Sequence, residues 1–312
     1  MKLHLLVLNW NDYEATKLCI KSIYGQLNRD VTLSVVDNGS TKYCLRKLDT
    51  YIATLCSENI ELISLPSNLG YSRGFNNAIK HHSRFAKSAN YFWFLNNDTE
   101  LHLNTIPNVI EFIKSTPSFK SKLIGTVLVN KTNNKVMCFG GVKYNSWLGY
   151  DSPLLKNKEV SSLSLIEHNT FSFDYLHGAS FLIRSSDFLS NQGFDERYFL
   201  YFEELSLSKL FKPSEMSICA NALVYHVDNN MAKKSNKLRD ICGYHAALSC
   251  FRFTSEYYPF KLPSVMITRL LYRLLLATRE RRFSTFHCVA KASWDFVFNN
   301  HVRRSFKKSN ER

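Results

Sequence analysis

The chain has 312 residues, of which 45% are hydrophobic and 14% aromatic, enough for one large core and too regular in Trp, Tyr and Phe for a disordered protein. A formal net charge of +14 asks for an anionic partner: a phosphorylated substrate, a membrane surface or a nucleic acid. The eight cysteines include no C-x-x-C pair, which argues against a zinc module and a disulfide framework and fits a reducing cytoplasm.

The first residues, MKLHLLVLNWND, hold only a short apolar run before polar groups, so they read as a first strand, Leu3 to Leu8, and not as a signal peptide. No uninterrupted apolar span is long enough to cross a bilayer. Asp12 can cap a helix from Tyr13 to Tyr24, where Ala15, Leu18, Cys19 and Ile23 recur at helical spacing. Val31 to Val36 is a second strand ending in Asp37-Asn38-Gly39-Ser40, and a helical pattern runs from Tyr43 to Cys56. Ile60 to Leu65 is a third strand, the pattern is helical again from Gly74 to Ala86, and Tyr91 to Leu95 is a strand buried on both faces. This alternation specifies an α/β fold with a mostly parallel sheet and helices on its faces.

Three strand ends carry polar groups: Asn9 to Asp12, Asp37 to Ser40, and Asn96-Asn97-Asp98. In a parallel sheet such ends converge on one rim, where open α/β sheets bind ligands. Asp98 is a hard oxygen ligand of the kind that Mg²⁺ or Mn²⁺ prefers, although a polar turn alone would also explain Asn-Asn-Asp. Asp37 can accept from a base or ribose donor. In the segment Asn68 to Asn77, Gly70 and Gly74 permit close backbone approach, and the Arg73 guanidinium can clamp a diphosphate. The glycine spacing is neither G-x-G-x-x-G nor a P-loop.

VLNWN, VVDNGS, NLGYSRGFNNA and LNNDTE, in this order, resemble the nucleotide-binding half of family 2 glycosyltransferases of the GT-A fold, and in particular bacterial rhamnosyltransferase-like enzymes of surface-polysaccharide assembly. The resemblance covers residues 1–230 and implies a GT-A domain with a nucleotide-binding half, 1–100, and an acceptor half, 101–230, followed by a basic helical region, 231–312. It places Asn9, Asn11, Asp37, Asn68, Gly70, Arg73, Gly74, Asn77, Asn97 and Asp98 along the donor nucleotide, with Asp37 at the nucleobase. It also makes Asp98 the metal-holding acid of a D-x-D motif whose first acid is here Asn96.

Beyond Leu101 a helix is expected to Ser115, with strands at Leu123 to Val129 and Lys135 to Gly141. Residues 140–167 are polar and follow no clear period. Phe173 to Arg184 is apolar around His177-Gly178-Ala179-Ser180, which resembles the family segment beneath sugar and acceptor. His177 alone fits a structural histidine as well. Glu203 and Glu204 follow an aromatic-rich stretch, a setting that raises a carboxyl toward a useful general base, and they also suit a helix N-terminus. In the family the acid matching Glu204 deprotonates the acceptor hydroxyl; here Glu replaces Asp and Ser206 stands two places later, which leaves Glu203 and Glu204 both open as the base. Leu223 to Val227 is a further strand, and His226 at its exit can ligate Mn²⁺ or bond a diphosphate oxygen. The matching family histidine sits at metal and diphosphate.

The tail is basic: from Phe251 onward thirteen Lys/Arg face four Asp/Glu. Lys237 to Thr254 reads as a helix. Leu262 to Arg282 is apolar apart from Arg269, Arg273, Arg279, Arg281 and Arg282, and fits either an amphipathic helix in the membrane interface or an ordinary packed helix. The expectation is a cytoplasmic enzyme, peripheral at the inner face of the plasma membrane, that uses a divalent metal to move a sugar with inversion from a nucleotide-sugar donor to a saccharide acceptor, lipid-linked by resemblance. A nucleic-acid partner would need basic residues interleaved with exposed aromatics, whereas these aromatics lie in strand-like runs. A catalytically impaired sugar-nucleotide binder is the remaining alternative, because Asn96 and Ser206 replace acids.

Overall fold

The apolar runs become strands and the amphipathic segments between them become helices. The computed structural model describes residues 1–165, 171–226 and 235–298. In chain order these hold β1 (Leu3–Asn9), α1 (Tyr13–Tyr24), β2 (Val31–Asn38), α2 (Lys42–Thr54), β3 (Ile60–Leu65), α3 (Gly70–Asn77), β4 (Tyr91–Asn96), β5 (Thr99–Leu101) and α4 (Thr105–Ser115). There follow β6 (Leu123–Asn130), β7 (Val136–Phe139), β8 (Gly141–Asn145), β9 (Tyr150–Pro153), β10 (Tyr175–Leu176), β11 (Ser180–Arg184), α5 (Ser185–Ser190), α6 (Glu203–Ser208) and β12 (Met216–His226). Three helices end the described chain: α7 (Asn236–Tyr257), α8 (Leu262–Arg279) and α9 (Ser284–Phe298).

The main sheet runs β3-β2-β1-β4-β11-β6-β12-β5, with β7 on the flank of β6. β1 is parallel to β2 and β4, and β2 to β3, while β11 is antiparallel to both β4 and β6, and β12 is parallel to β6. Hence β1, β2, β4, β6 and β12 all deliver their carboxyl ends to the same edge. The sheet also has to curl. Asn96 and Thr99 are three residues apart and so within about 11 Å, yet four strand spacings of about 4.8 Å separate β4 from β5 in the sheet order. β5 pairs antiparallel with β12, Thr99 opposite His226.

β4 shows why the sheet is covered on both sides. Tyr91, Trp93 and Leu95 enter one apolar cluster with β1, β2 and α1, while Phe92 and Phe94 enter another with Phe75, Phe181, Phe188 and Phe194. Phe94 packs 4.9 Å from Phe75 and 4.8 Å from Phe194, centroid to centroid, in edge-on contacts that add to the area they bury.

Two expectations change. The helix placed at Gly74 to Ala86 begins at Gly70, whose φ of +81° lets the chain turn into it directly after Leu69. It ends in a wider turn through His82, closed by the Ser83 N–H on the Ala78 carbonyl. Within 140–167, β8 and β9 form a hairpin in a small sheet ordered β10-β8-β9. Gly149 (φ +70°) turns this hairpin, and a Cβ there would stand 2.7 Å from Val265 of α8 and 2.9 Å from Cys250 of α7, so the hairpin docks against the C-terminal helices. These helices share their own core of Leu248, Phe251, Val265, Val289 and Phe296, while Phe253 joins the core of the sheet. The expected boundary at residue 230/231, the residue Val227 and the basic residues after Phe298 lie outside the described residues.

On α8, Arg269, which an interfacial helix would carry on a basic outer face, is 9% exposed and turned inward, as the packed-helix alternative has it, and Arg282, just beyond α8, pairs with Asp240 at 2.5 Å. What α8 shows to solvent is an apolar stripe, Ile267, Leu271, Leu274 and Leu275, next to the exposed Arg279 and Arg281. Among the described residues no helix is long and apolar enough to cross a membrane.

Candidate active site

The rim is wired by side chains from each strand end. The Asn9 amide donates to Asp37 Oδ1 at 2.7 Å, and the Ser40 backbone N–H donates to Asp37 Oδ2 at 3.0 Å. The Thr16 hydroxyl lies 2.9 Å from Asn9 Oδ1 and accepts from Asn97 Nδ2 at 3.1 Å, so α1 ties the exits of β1, β2 and β4 together. Asn11 (φ +56°) accepts from the Thr41 N–H at 2.8 Å and holds the next turn. Asp37 is fully buried. Its two carboxylate oxygens are held by Asn9 and Ser40, which fixes it at the rim beside the expected nucleobase position. Thr16 gave no signal in the sequence beyond its place on a helix.

The Asn68–Asn77 segment is fixed by hydrogen bonds and close packing within the protein. Asn38 Nδ2 donates to Asn68 Oδ1 (3.0 Å) and to the Gly70 carbonyl (3.1 Å), and Gly70 N–H donates to Asn68 Oδ1 (2.9 Å). A Cβ on Gly70 would stand 2.4 Å from the Phe199 carbonyl, and one on Gly74 would stand 3.0 Å from Leu8. The close approaches are thus to the 199 loop and to β1. Asn77 is half-buried at the end of α3. Arg73 is not brought to the rim acids. It faces Glu196 at 3.7 Å and lines a 680 Å³ groove with Arg197, Arg252 and Glu256.

Asp98 and His226 do meet. Antiparallel pairing of β5 with β12 sets Thr99 against His226, and the preceding residue, Asp98, brings Oδ1 to 3.2 Å from His226 Nε2. Both side chains are mostly covered, at 15% and 18% exposed. Among the described residues no third His, Cys, Asp or Glu joins them as a closed metal site. One carboxylate and one imidazole nevertheless fit a divalent ion that takes its other ligands from substrate phosphates and water, as Mg²⁺ and Mn²⁺ do. His177 stands beside this pair: burial, then the neighbouring His226, lowers its pKa to about 4 and keeps it neutral.

From His177 the chain leads to the acids. Gly178 N–H donates to the Glu204 carboxylate, and a Cβ at Gly178 would stand 2.8 Å from Glu204 Oε1, so this glycine makes room for the acid. Glu203 and Glu204 open α6 directly after Tyr201 and Phe202, at φ +67° and +74°. Two consecutive left-handed non-glycine residues store strain, the kind of backbone that persists where packing over-determines it. Here the Phe202 ring is held by Tyr144 (5.9 Å) and Phe253 (5.6 Å). Burial, followed by the charge of Glu204, keeps the Glu203 carboxyl well above the usual range, and burial pushes Glu204 up to about 7 against the pull of nearby backbone N–H groups. Oε2 of each acid is shielded from solvent without a hydrogen-bond partner. Glu204 borders an open space with Tyr201 and Asp151, whereas Glu203 is 4% exposed and, by charge, faces Tyr71. The arrangement can thus bind a cation and a phosphate at one end and accept a proton at the other.

The chain is similar to known proteins in sequence and in fold. The description "Glycosyl transferase family 2" matches residues 5–150. Residues 5–150 are a family 2 glycosyltransferase domain. The low-salt glycan biosynthesis hexosyltransferase Agl10 of Haloferax volcanii is 25% identical over 210 residues, 65% of this chain and 59% of that protein. The aligned part thus spans under two thirds of that relative's length. Among solved structures, the mannosyltransferase PcManGT from Pyrobaculum calidifontis, in complex with GDP-Man and Mn²⁺, superposes with a TM-score of 0.56 at 12% identity, over 96% of this chain and 87% of that one. S. aureus TarS 1–349 in complex with UDP gives 0.51 at 13% identity, over 94% and 91%. The fold of the family 2 domain and its extension is GT-A, with C-terminal helices.

Proposed function

We propose that the protein is a metal-assisted, inverting glycosyltransferase that moves a hexosyl or deoxyhexosyl unit from a nucleotide sugar to a saccharide hydroxyl. The observation that carries this reading is the meeting of Asp98 and His226 at 3.2 Å on the same rim as the buried carboxyl of Glu204. The family 2 domain and the nucleotide-bound structural neighbours support it.

In this reading Asp98 and His226 would hold a divalent ion, Mg²⁺ or Mn²⁺, beside the donor diphosphate, and such an ion would supply positive charge against the charge developing on the leaving group. Asn97, kept in place by Thr16, orients the turn that carries Asp98, and Asp37 acts by fixing Asn9 and Ser40 against the nucleotide. Glu204, ionised above pH of about 7, takes the proton of the acceptor hydroxyl. The acceptor oxygen bonds to the anomeric carbon from the face opposite the donor, and the carbon–diphosphate bond breaks with its electron pair leaving on the nucleoside diphosphate. Glu203 keeps its proton and sets the start of α6.

The acceptor is a saccharide of bacterial surface-polysaccharide assembly, lipid-linked and met at the cytoplasmic face of the membrane. The outward stripe of α8 with Arg279 and Arg281 supports peripheral attachment there. By the resemblance of the sequence, dTDP-rhamnose leads the donor panel. The test is nucleoside diphosphate release from UDP-, GDP- and dTDP-sugars with Mn²⁺, for wild type and Asp98→Ala. Release by the wild type alone is expected. Binding of a nucleotide sugar without release in any combination would favour the impaired binder, and no binding at all would overturn the reading.

A further inference from the structure

Beside Glu204 lies a partly open cavity of about 190 Å³, room for roughly six waters at about 30 Å³ each. That is the scale of a single sugar ring. Its walls include Tyr150 and Asp151 from β9, Tyr201, Phe202 and Glu204 from the entry to α6, and Arg269 from α8, together with Tyr175 of β10 and Ala246 of α7. The arginine is the unexpected one. Arg269 is 9% exposed, its Nη2 donates to the Gly149 carbonyl at 2.6 Å, and its Nε–H has no partner. Asp151 reaches the guanidinium only as a neighbouring charge, and the guanidinium's hydrogen bond is to a backbone carbonyl. A buried guanidinium with an unspent donor is costly unless something accepts from it.

The surrounding groups say what that something is. Asp151 accepts from the Tyr175 hydroxyl at 3.1 Å, and Glu204 Oε2 is without a partner, so two carboxyl groups border the same space as the guanidinium. With both signs of charge present, the cavity does not favour a phosphate or another strong anion. Carboxyl groups accept from hydroxyls, a guanidinium donates to their oxygens, and aromatic walls take the C–H face of a ring. The Arg269 guanidinium itself lies over the Tyr150 ring at 5.2 Å, which fixes its plane. We propose that Arg269 and Asp151 are specificity-determining residues that hold a neutral saccharide ring of the acceptor in this cavity, with one of its hydroxyls presented to Glu204. The C-terminal helices then complete the substrate site. This rests on the glycosyltransferase reading and adds to it the residues that hold the acceptor ring and the absence of charge on that ring.

The experiment compares wild type, Arg269→Lys and Asp151→Asn with p-nitrophenyl gluco-, galacto-, manno- and rhamnopyranosides as acceptor probes. Acceptor KM should rise about 10- to 100-fold, as for loss of a charge-assisted hydrogen bond, and the order of preference among the four probes should change. Nucleoside diphosphate affinity by calorimetry should stay at the wild-type value, which a general loosening of the fold would not allow. Unchanged acceptor KM and unchanged probe order in the folded variants overturn the proposal. If Arg269→Lys does not fold, Asp151→Asn, which keeps the side-chain volume, carries the same test. If the wild type transfers from no donor, the glycosyltransferase reading has failed. The cavity is then read by saturation-transfer NMR with the same four probes: binding that Asp151→Asn removes supports it, and no binding to wild type overturns it.

Discussion

Replacing Glu204 by Gln should make stability fall less as pH rises while removing activity. In the fold this carboxyl titrates near 7, against 4.5 ordinarily, chiefly because it is buried. The folded chain therefore binds this proton more tightly than the unfolded chain. The resulting stability is fully present below pH 4.5 and is lost as pH rises through about 7. A displacement of this size is worth about 3 kcal/mol in all, and about 2 kcal/mol of it falls between pH 5.5 and 8. Gln does not titrate, so wild type should lose about 2 kcal/mol more than Glu204→Gln across that interval. Comparing the two pH values cancels any fixed cost of burying the new amide. Glu203 remains in both proteins, and with the neighbouring charge removed its own proton is held less tightly, a change of the same sign. The assay is urea unfolding at pH 5.5 and 8, followed by fluorescence, together with turnover over the same range. Turnover of wild type should rise through pH of about 7, and the variant should lose about 10²–10⁴-fold, the usual contribution of a general base. Parallel loss of stability in both proteins, or near-normal turnover of the variant, would refute the reasoning.

Gly70→Ala should cost about 1–3 kcal/mol and lower the thermal midpoint, because a Cβ there meets the Phe199 carbonyl at 2.4 Å in a left-handed backbone; a midpoint equal to wild type would show that the 199 loop yields freely. Wild type should bind phosphatidylglycerol vesicles at low salt, more weakly as Leu271→Asp, and weaker by roughly 1 kcal/mol for each of Arg279→Gln and Arg281→Gln. Sedimentation with vesicles reads this, and a wild type that stays in the supernatant removes the membrane role of α8.

Much of the nucleotide half was legible because its signals are local. Helix α1 and strand β3 have the expected bounds, and Asp12 caps α1 by accepting from the Ala15 N–H at 3.2 Å. Residues 91–95 read as a doubly buried strand because both faces of β4 are apolar, and they are. What escaped depends on distant partners. The start of α3 follows from Gly70, where a Cβ would collide with Phe199, far along the chain. The β8–β9 hairpin is polar on its outer face and gains its cover from α7 and α8, so no period of its own marks it. The inward turn of Arg269 could not be read from an amphipathic pattern, because apolar residues lie on most sides of α8 and the decisive neighbour is Gly149. In the site, Asp98 and His226 could be paired from resemblance alone; the physical cause is the register of β5 on β12. Asp37 shows the opposite case, a residue rightly placed at the rim whose carboxylate is taken up by Asn9 and Ser40.

The central claim is sugar transfer at the rim shared by Asp98, His226 and Glu204, and product analysis tests it most directly. Wild type is incubated with Mn²⁺, the UDP-, GDP- and dTDP-sugar panel and the four p-nitrophenyl glycosides, and products are read by mass spectrometry and by the proton coupling of the new anomeric centre. The account predicts one added hexosyl or deoxyhexosyl mass for at least one donor, with anomeric configuration opposite to the donor's, and no such product from Asp98→Ala or Glu204→Gln. A product that retains the donor configuration, or one formed equally well by both variants, would contradict it.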